Sequence, residues 1–298
     1  MAVAGAYLPS PKGFLGLSAE ETGAPSKADA VIVPFGLEAT VSYGKGTAKG
    51  PQAIIGASPQ LEFFDEELWL QPHEHYGLAT LKPVTIKKPI SAALAQLERL
   101  VEPIVKVGKF PLILGGEHAL TPGAIRPFIK KFKKLTILHF DAHADLRDGY
   151  EGEPYSHAAA MRRCLDFPNV RIVSVGIRNI SLEEVRFWKK NKKRVTIFWA
   201  KDRAKWRAGD VVKAIGDSPV YLSFDVDGFD SSLMPATGTP EPGGFFWDDA
   251  MKIICAVSRA RKVVGADVVE LAPQKPLHAC DFLAAKLCFK ILAYRFCR

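Results

Sequence analysis

Four short polar motifs stand where strands should end, and they carry side chains that bind cations. They are Gly115-Gly116-Glu117-His118, Asp141-Ala142-His143-Ala144-Asp145, Asp225-Val226-Asp227 and the lone acid Glu270. Extended chain alternates its faces, so Asp141, His143 and Asp145 can project together, as can Asp225 and Asp227. Gathered in one cleft, four carboxylates would repel one another and raise their own pKa values, so something positive has to neutralise them. Two divalent cations balance four carboxylates in formal charge. Oxygen-rich ligands with some imidazole and no cysteine suit Mn²⁺ better than a structural zinc. Two such ions, about 3.5–4 Å apart, can share a hydroxide that is nucleophilic near neutral pH. Each motif alone has an ordinary explanation: His118 as a cap or core histidine, Asp225 and Asp227 as a turn closing a strand. Four of them at four strand ends favour a dinuclear metal site.

Stepping outward, the chain repeats a short apolar run, a turn rich in Gly or Asp, and an amphipathic helix. That rhythm predicts a mostly parallel sheet covered by helices, an α/β fold. Residues 30–35, 110–114, 135–140, 170–175, 195–199, 220–224 and 263–269 read as strands, several apolar throughout as strands buried on both faces should be. In an open parallel sheet the C-terminal strand ends share one edge, where ligands bind, so the four motifs can converge. Leu94, Leu97, Leu100, Val101 and Ile104 repeat at helical spacing, with Pro103 expected to kink or end the helix. Thr121-Pro122 is a helix start, and Ser181 with Glu184 forms a capping-box pattern. No composition shift, linker or repeat divides the chain, so residues 1–298 read as one domain with 1–28 as an N-terminal extension. His139 falls on the face of Asp141 but deeper in its strand, and is left out of the site.

Composition narrows the function classes. The 298 residues are 48% apolar with a formal charge of +8, enough to bury a large core. Lysine clusters at 130–134 and 189–193 sit near helix ends, where cations suit the helix dipole, and no nucleic-acid motif accompanies them. The five cysteines are scattered singly, as thiols of a reducing cytoplasm. No run of eighteen apolar residues appears and residues 1–10 lack a signal-peptide pattern, so the expectation is a cytoplasmic protein with no membrane and no nucleic-acid partner. The stretch Tyr43-Gly44-Lys45-Gly46-Thr47 lacks the spacing of a phosphate loop and reads as a loop near a substrate entrance.

Gly-Gly-Glu-His at 115–118, Phe-Asp-Ala-His-Ala-Asp at 140–145, Ser-Phe-Asp-Val-Asp-Gly-Phe-Asp at 223–230 and Gly-Thr-Pro-Glu-Pro-Gly-Gly at 238–244 resemble, in order and wording, the signatures of the ureohydrolases, the arginase and agmatinase family. The resemblance runs from about Val31 to the C-terminus and implies a three-layer α/β/α fold with a parallel sheet of about eight strands. It implies two Mn²⁺ per subunit, one held by His118, Asp141, Asp145 and Asp225, the other by Asp141, His143, Asp225 and Asp227, with Asp141 and Asp225 bridging. It further implies His157 as the proton-shuttling histidine, Glu270 as the carboxylate gripping a substrate guanidinium, Thr239 as a nearby polar contact, and assembly into trimers or hexamers. The implied reaction is attack of hydroxide on a guanidinium carbon, giving urea and an amine.

Between the second motif and His157 the chain reads Leu146-Arg147-Asp148-Gly149-Tyr150-Glu151-Gly152-Glu153-Pro154-Tyr155-Ser156, expected at the pocket rim. The Asn, Ser and Thr with which arginases recognise arginine's carboxylate and amino group are absent. An acidic rim suits a cationic guanidino substrate without a carboxylate, agmatine first, with aminopropylagmatine, guanidinobutyrate and arginine as alternatives. A nucleotide- or nucleic-acid-binding α/β module leaves the carboxylate and histidine clusters unexplained.

Overall fold

In a computed structural model the chain is described over residues 7–297, and those residues form one eight-stranded sheet in the order β2-β1-β3-β8-β7-β4-β5-β6. The strands are β1 (Ala30–Phe35), β2 (Leu78–Thr80), β3 (Phe110–Gly115), β4 (Leu135–Phe140), β5 (Val170–Ile177), β6 (Val195–Trp199), β7 (Val220–Asp225) and β8 (Val263–Val269). Every pairing is parallel, so the sheet is wholly rather than mostly parallel. Seven strands fall where the apolar runs placed them; the three residues of β2 are too few to show a pattern.

Side chains alternating along each strand feed two cores. One packs Leu138, Phe140, Leu222 and Phe224 against helices Gly50–Ala57, Ala208–Ile215, Trp247–Ala260 and His278–Phe296. The other packs Ile113, Ile137, Ile172 and Tyr221 against helices Ile90–Lys106, Thr121–Ala124, Arg126–Lys131 and Ala160–Cys164. The result is the three-layer α/β/α sandwich, which buries parallel strands on both faces.

Local expectations meet mixed outcomes. Pro103 lies inside the helix Ile90–Lys106, which continues to its last residue; the lost N–H bond falls in the final turn, where ending is near anyway. Pro122 occupies the first turn of its helix, and Ser181 with Glu184 closes a full capping box. Lys130, Lys131, Lys189 and Lys190 occupy last helical turns. Of the expected N-terminal extension, residues 1–6 lie outside the described residues, while Phe14, Leu15 and Leu17 are buried in the first core. No helix among the described residues is long and apolar enough to cross a membrane.

One ion pair fastens the last helix to the loop after Leu61. The Lys290 ammonium, 2% exposed, lies 2.8 and 3.0 Å from the carboxylate oxygens of Asp65, itself fully buried, and 3.0 Å from Glu67. Burial pushes the Asp65 carboxyl up, but its bonds to Lys290 and to backbone N–H groups outweigh burial and hold it low. A depressed carboxylate stabilises above its unfolded pKa, and that contribution is lost as pH falls through the folded value. Lys290→Met fills similar volume but leaves Asp65 unpaired, which should cost about 3–5 kcal/mol. The denaturant midpoint reads this out, and an unchanged midpoint would mean the pair stabilises nothing.

Candidate metal centre and active site

The four motifs come from β3, β8, β7 and β4, which are consecutive in the sheet although β3 and β8 are far apart in sequence. Their C-terminal ends therefore meet at the middle of one sheet edge. A cavity of about 160 Å³ opens there, lined by His118, His143, Asp145, His157, Asp225, Asp227, Thr239 and Glu270.

Two groups of ligating atoms form its floor. Around His118, Nδ1 lies 3.1 Å from Asp141 Oδ2, 3.2 Å from Asp145 Oδ2 and 3.3 Å from Asp225 Oδ2. Around His143, Nδ1 lies 2.9 Å from Asp227 Oδ2 and 3.5 Å from Asp141 Oδ1. Asp141 thus turns one oxygen to each group. Asp225 reaches the His118 group, and its other oxygen accepts the Asp227 N–H at 2.9 Å.

The tautomer of His118 tests whether a cation fits. Its Nε2 lies 2.9 Å from Ser223 Oγ, and Ser223 donates its hydrogen to Asp267 Oδ1 at 2.7 Å. Nε2 must then be the donor, which leaves the Nδ1 lone pair pointing at three carboxylates. Buried Nδ1 has no hydrogen-bond partner. An orphaned imidazole lone pair facing three carboxylate oxygens fits a divalent cation, and the oxygen-rich donor set without thiolate fits a hard or borderline one.

Electrostatics say the same. Burial and the neighbouring charges of Asp227 and Asp141 push Asp225 well above the carboxylate range; burial and Asp141 push Asp227 up. Burial opposes charge on His143, but Asp227 and Asp141 outweigh it and push that imidazole up to about 12. Protons on imidazole are what the cluster recruits when no cation neutralises it. Cations must displace those protons, so metal uptake near neutral pH should release protons and weaken as pH falls. Calorimetry in buffers of different ionisation enthalpy measures the release; a heat independent of buffer would contradict it.

The way these residues converge differs from simple strand alternation. β4 ends at Phe140, and Asp141 to Asp145 follow as irregular chain, with Asp145 at φ 54°. Asp227 sits in a 3₁₀ turn, Val226–Gly228, just beyond β7. Glu270, at φ 67°, bends off β8 so that its Oε1 accepts the His118 N–H at 2.6 Å. Two non-glycine residues in the left-handed region at one site are held by surrounding structure. Gly116 is required there: a Cβ would lie 2.0 Å from the Leu37 carbonyl oxygen.

Several residues outside the expected site support it. His139 is fully buried, its Nε2 2.7 Å from Asp141 Oδ2 and its Nδ1 3.0 Å from Ser174 Oγ. Its proximity groups it with His118, Asp141 and Asp145 as a possible ligand set; both ring nitrogens are already engaged, so it braces Asp141 from beneath. Asp267, fully buried, collects Thr121, Tyr221 and Ser223 hydroxyls; an acid inside an apolar strand was the available signal. Arg178 donates to the carbonyls of Asp227 and Glu241, both at 2.7 Å, clamping two site loops together.

The rim corrects an expectation. Of residues 146–156 only Arg147 and Tyr150 line the cavity. Asp148 turns outward to Arg163 at 2.6 Å and Arg162 at 3.3 Å, so its charge is matched away from the pocket. Glu184 is an acid of the lining instead, its Oε1 accepting the Leu146 N–H at 2.9 Å and its Oε2 the Ser181 N–H at 2.8 Å, with Tyr43 and Gly44 of the early loop also in the lining.

This arrangement of sheet edge and donors has known counterparts. A family model described as the arginase family matches residues 28–293. The chain belongs to the arginase family. Within it, an N(1)-aminopropylagmatine ureohydrolase of a Synechocystis strain is 36% identical over 97% of this chain and 95% of its own length. An agmatinase of Bacillus subtilis is 33% identical, covering 83% of this chain and 84% of its own. The structure of an agmatine ureohydrolase of Thermoplasma volcanium superposes with a TM-score of 0.84 at 30% identity, covering 95% of this chain and 94% of that one.

Proposed function

We propose that this arginase-family chain is an agmatinase-like ureohydrolase that splits a cationic guanidino compound, agmatine foremost, into urea and an amine. The observation that carries the reading is the Glu270 carboxylate set beside the His118 cluster in one cavity. His118, Asp141, Asp145 and Asp225 would hold one cation and Asp141, His143, Asp225 and Asp227 the other, with Mn²⁺ favoured by the donor set. When bound, the pair supplies Lewis acidity and lowers the pKa of water to near neutrality.

The chain's own residues do the rest. Glu270 keeps Oε1 on the His118 N–H, leaving its second oxygen for the planar guanidinium, a match strengthened by charge. Thr239 lines the same cavity as a polar neighbour. Water adds to the guanidinium carbon, the bond from that carbon to the chain nitrogen breaks, and that nitrogen departs as an amine needing a proton. His157 lines the cavity and would give that proton. Burial lowers its pKa, so the ring rests neutral, would take up the proton released by the adding water and would give it up readily to the departing amine.

Substrate tail recognition rests on a different acid from the one expected at the rim. Glu184, rather than Asp148, lines the cavity, and its charge, held by the Leu146 and Ser181 N–H groups, would favour an ammonium tail. The 36% identical aminopropylagmatine-named relative favours a second reading, the aminopropyl derivative of agmatine. The reading includes one ureohydrolase domain, a homo-oligomer, and a reducing cytoplasm for five buried free thiols. Comparing kcat/KM for urea release from agmatine, aminopropylagmatine, guanidinobutyrate and arginine tests it. The two amine-tailed substrates should exceed arginine by at least about tenfold, the cost of leaving one charge unmatched. A preference for arginine would overturn the tail assignment.

A further inference from the structure

The loop leaving β1 reaches the cavity, and side-chain carboxylates tie it down. The Glu38 carboxylate accepts the N–H groups of Gly46 and Ala48, each at 2.9 Å, and the Thr47 hydroxyl at 3.1 Å, closing the loop on itself. Glu117, the neighbour of His118, accepts the Ala39 N–H at 3.0 Å and the Thr40 N–H at 2.7 Å, pinning the loop to the end of β3. Gly44 donates to the Gly238 carbonyl at 3.1 Å, joining it to the loop that carries Thr239. Thr40 is thereby fixed against His157. Its Oγ1 accepts the His157 backbone N–H at 3.0 Å and lies 3.1 Å from the ring Nδ1. The other hydroxyl nearby, Ser156 Oγ, is 3.5 Å from Nδ1 and is already accepting the Ala158 N–H as a helix cap.

We propose that Thr40 is a positioning residue for His157, holding Nδ1 so that Nε2 is the nitrogen presented to the leaving amine; this rests on the proton-donor reading of His157. A hydroxyl is the chemically apt partner. It accepts from Nδ1–H both in the charged ring and in the neutral tautomer left when Nε2 gives up its proton, so the ring keeps its orientation through a proton-transfer cycle. A carboxylate in that place would favour the charged ring and hinder release of the proton. Binding backbone and ring of one residue through one oxygen fixes both the position and the rotation of the imidazole.

A double-mutant cycle on the metal-replete enzyme decides between positioning and mere loop support. Thr40→Val should lower kcat for urea release from agmatine about 10–100-fold, as loss of a histidine's orienting partner does, with KM within about twofold. Thr40→Ser should recover most of it, and Ser156→Ala should cost less than Thr40→Val. In a His157→Ala background, Thr40→Val should cost nothing further. Nitrogen-15 shifts of the His157 ring in the metal-free protein should change with Thr40→Val and return with Thr40→Ser. Thr40→Ala, which adds no methyl group against the ring, serves if the valine variant folds poorly. Equal losses from the Thr40 change in both backgrounds, or no loss with His157 intact, would overturn the proposal. No loss from His157→Ala itself would overturn the proton-donor reading, and the positioning role with it.

Discussion

Asp141→Asn should abolish urea release, lowering kcat by at least about 10³-fold while the fold persists. Asp141 is the carboxylate that faces both ligand groups, with Oδ2 3.1 Å from His118 Nδ1 and Oδ1 3.5 Å from His143 Nδ1. Burial alone would push its carboxyl up, but the imidazoles of His139, His118 and His143 outweigh that and keep it well below the usual range. The site therefore needs an anion here. An amide keeps the shape but removes the charge. Losing a cation's charge stabilisation, several kcal/mol, corresponds to about three decades of rate. Metal analysis should fall from two ions per chain to at most one, with unchanged circular dichroism. Wild-type activity at wild-type metal content would remove Asp141 from the centre.

Glu270→Gln should lower kcat/KM for agmatine by about 10²–10³-fold, the range for unpairing one side of a buried charged hydrogen bond. Burial and the charge of Glu117 push the Glu270 carboxyl well above its usual range, a cost that a bound guanidinium relieves. Glutamine can still accept the His118 N–H through its remaining carbonyl oxygen, so the strained turn at φ 67° should persist and metal content should hold. What goes is the anion for the guanidinium. The variant separates grip from metal binding: lost metal would assign Glu270 a structural role, and unchanged kcat/KM would place the guanidinium elsewhere.

Much of this was legible in the residues because the chemistry falls at abrupt ends of apolar strands. Polar groups after β3, β4, β7 and β8 have no packing reason to be there, and the order of the motifs carried the family resemblance. The adjacency of those strands was not legible: Leu112 pairs with Ala266 across about half the chain, and no local pattern encodes that. Nor was the local geometry. Asp145 and Asp227 reach the site through a left-handed residue and a 3₁₀ turn, where periodicity has no meaning. The acidic rim misled because sequence shows charge but not direction; Arg162 and Arg163, from the next helix, draw Asp148 outward. Thr40 and Ser223 act across 117 and 105 residues respectively, and single hydroxyls carry no signal at that range.

The most direct test of the whole account is urea released by the Mn²⁺-loaded chain from agmatine and aminopropylagmatine, with the chelated protein and Asp141→Asn beside it. The account predicts urea and the matching amine in equal amounts, lost on chelation, restored by Mn²⁺ and absent from the variant. No urea from either substrate, nor from guanidinobutyrate or arginine, by a protein shown to hold two metal ions would contradict it.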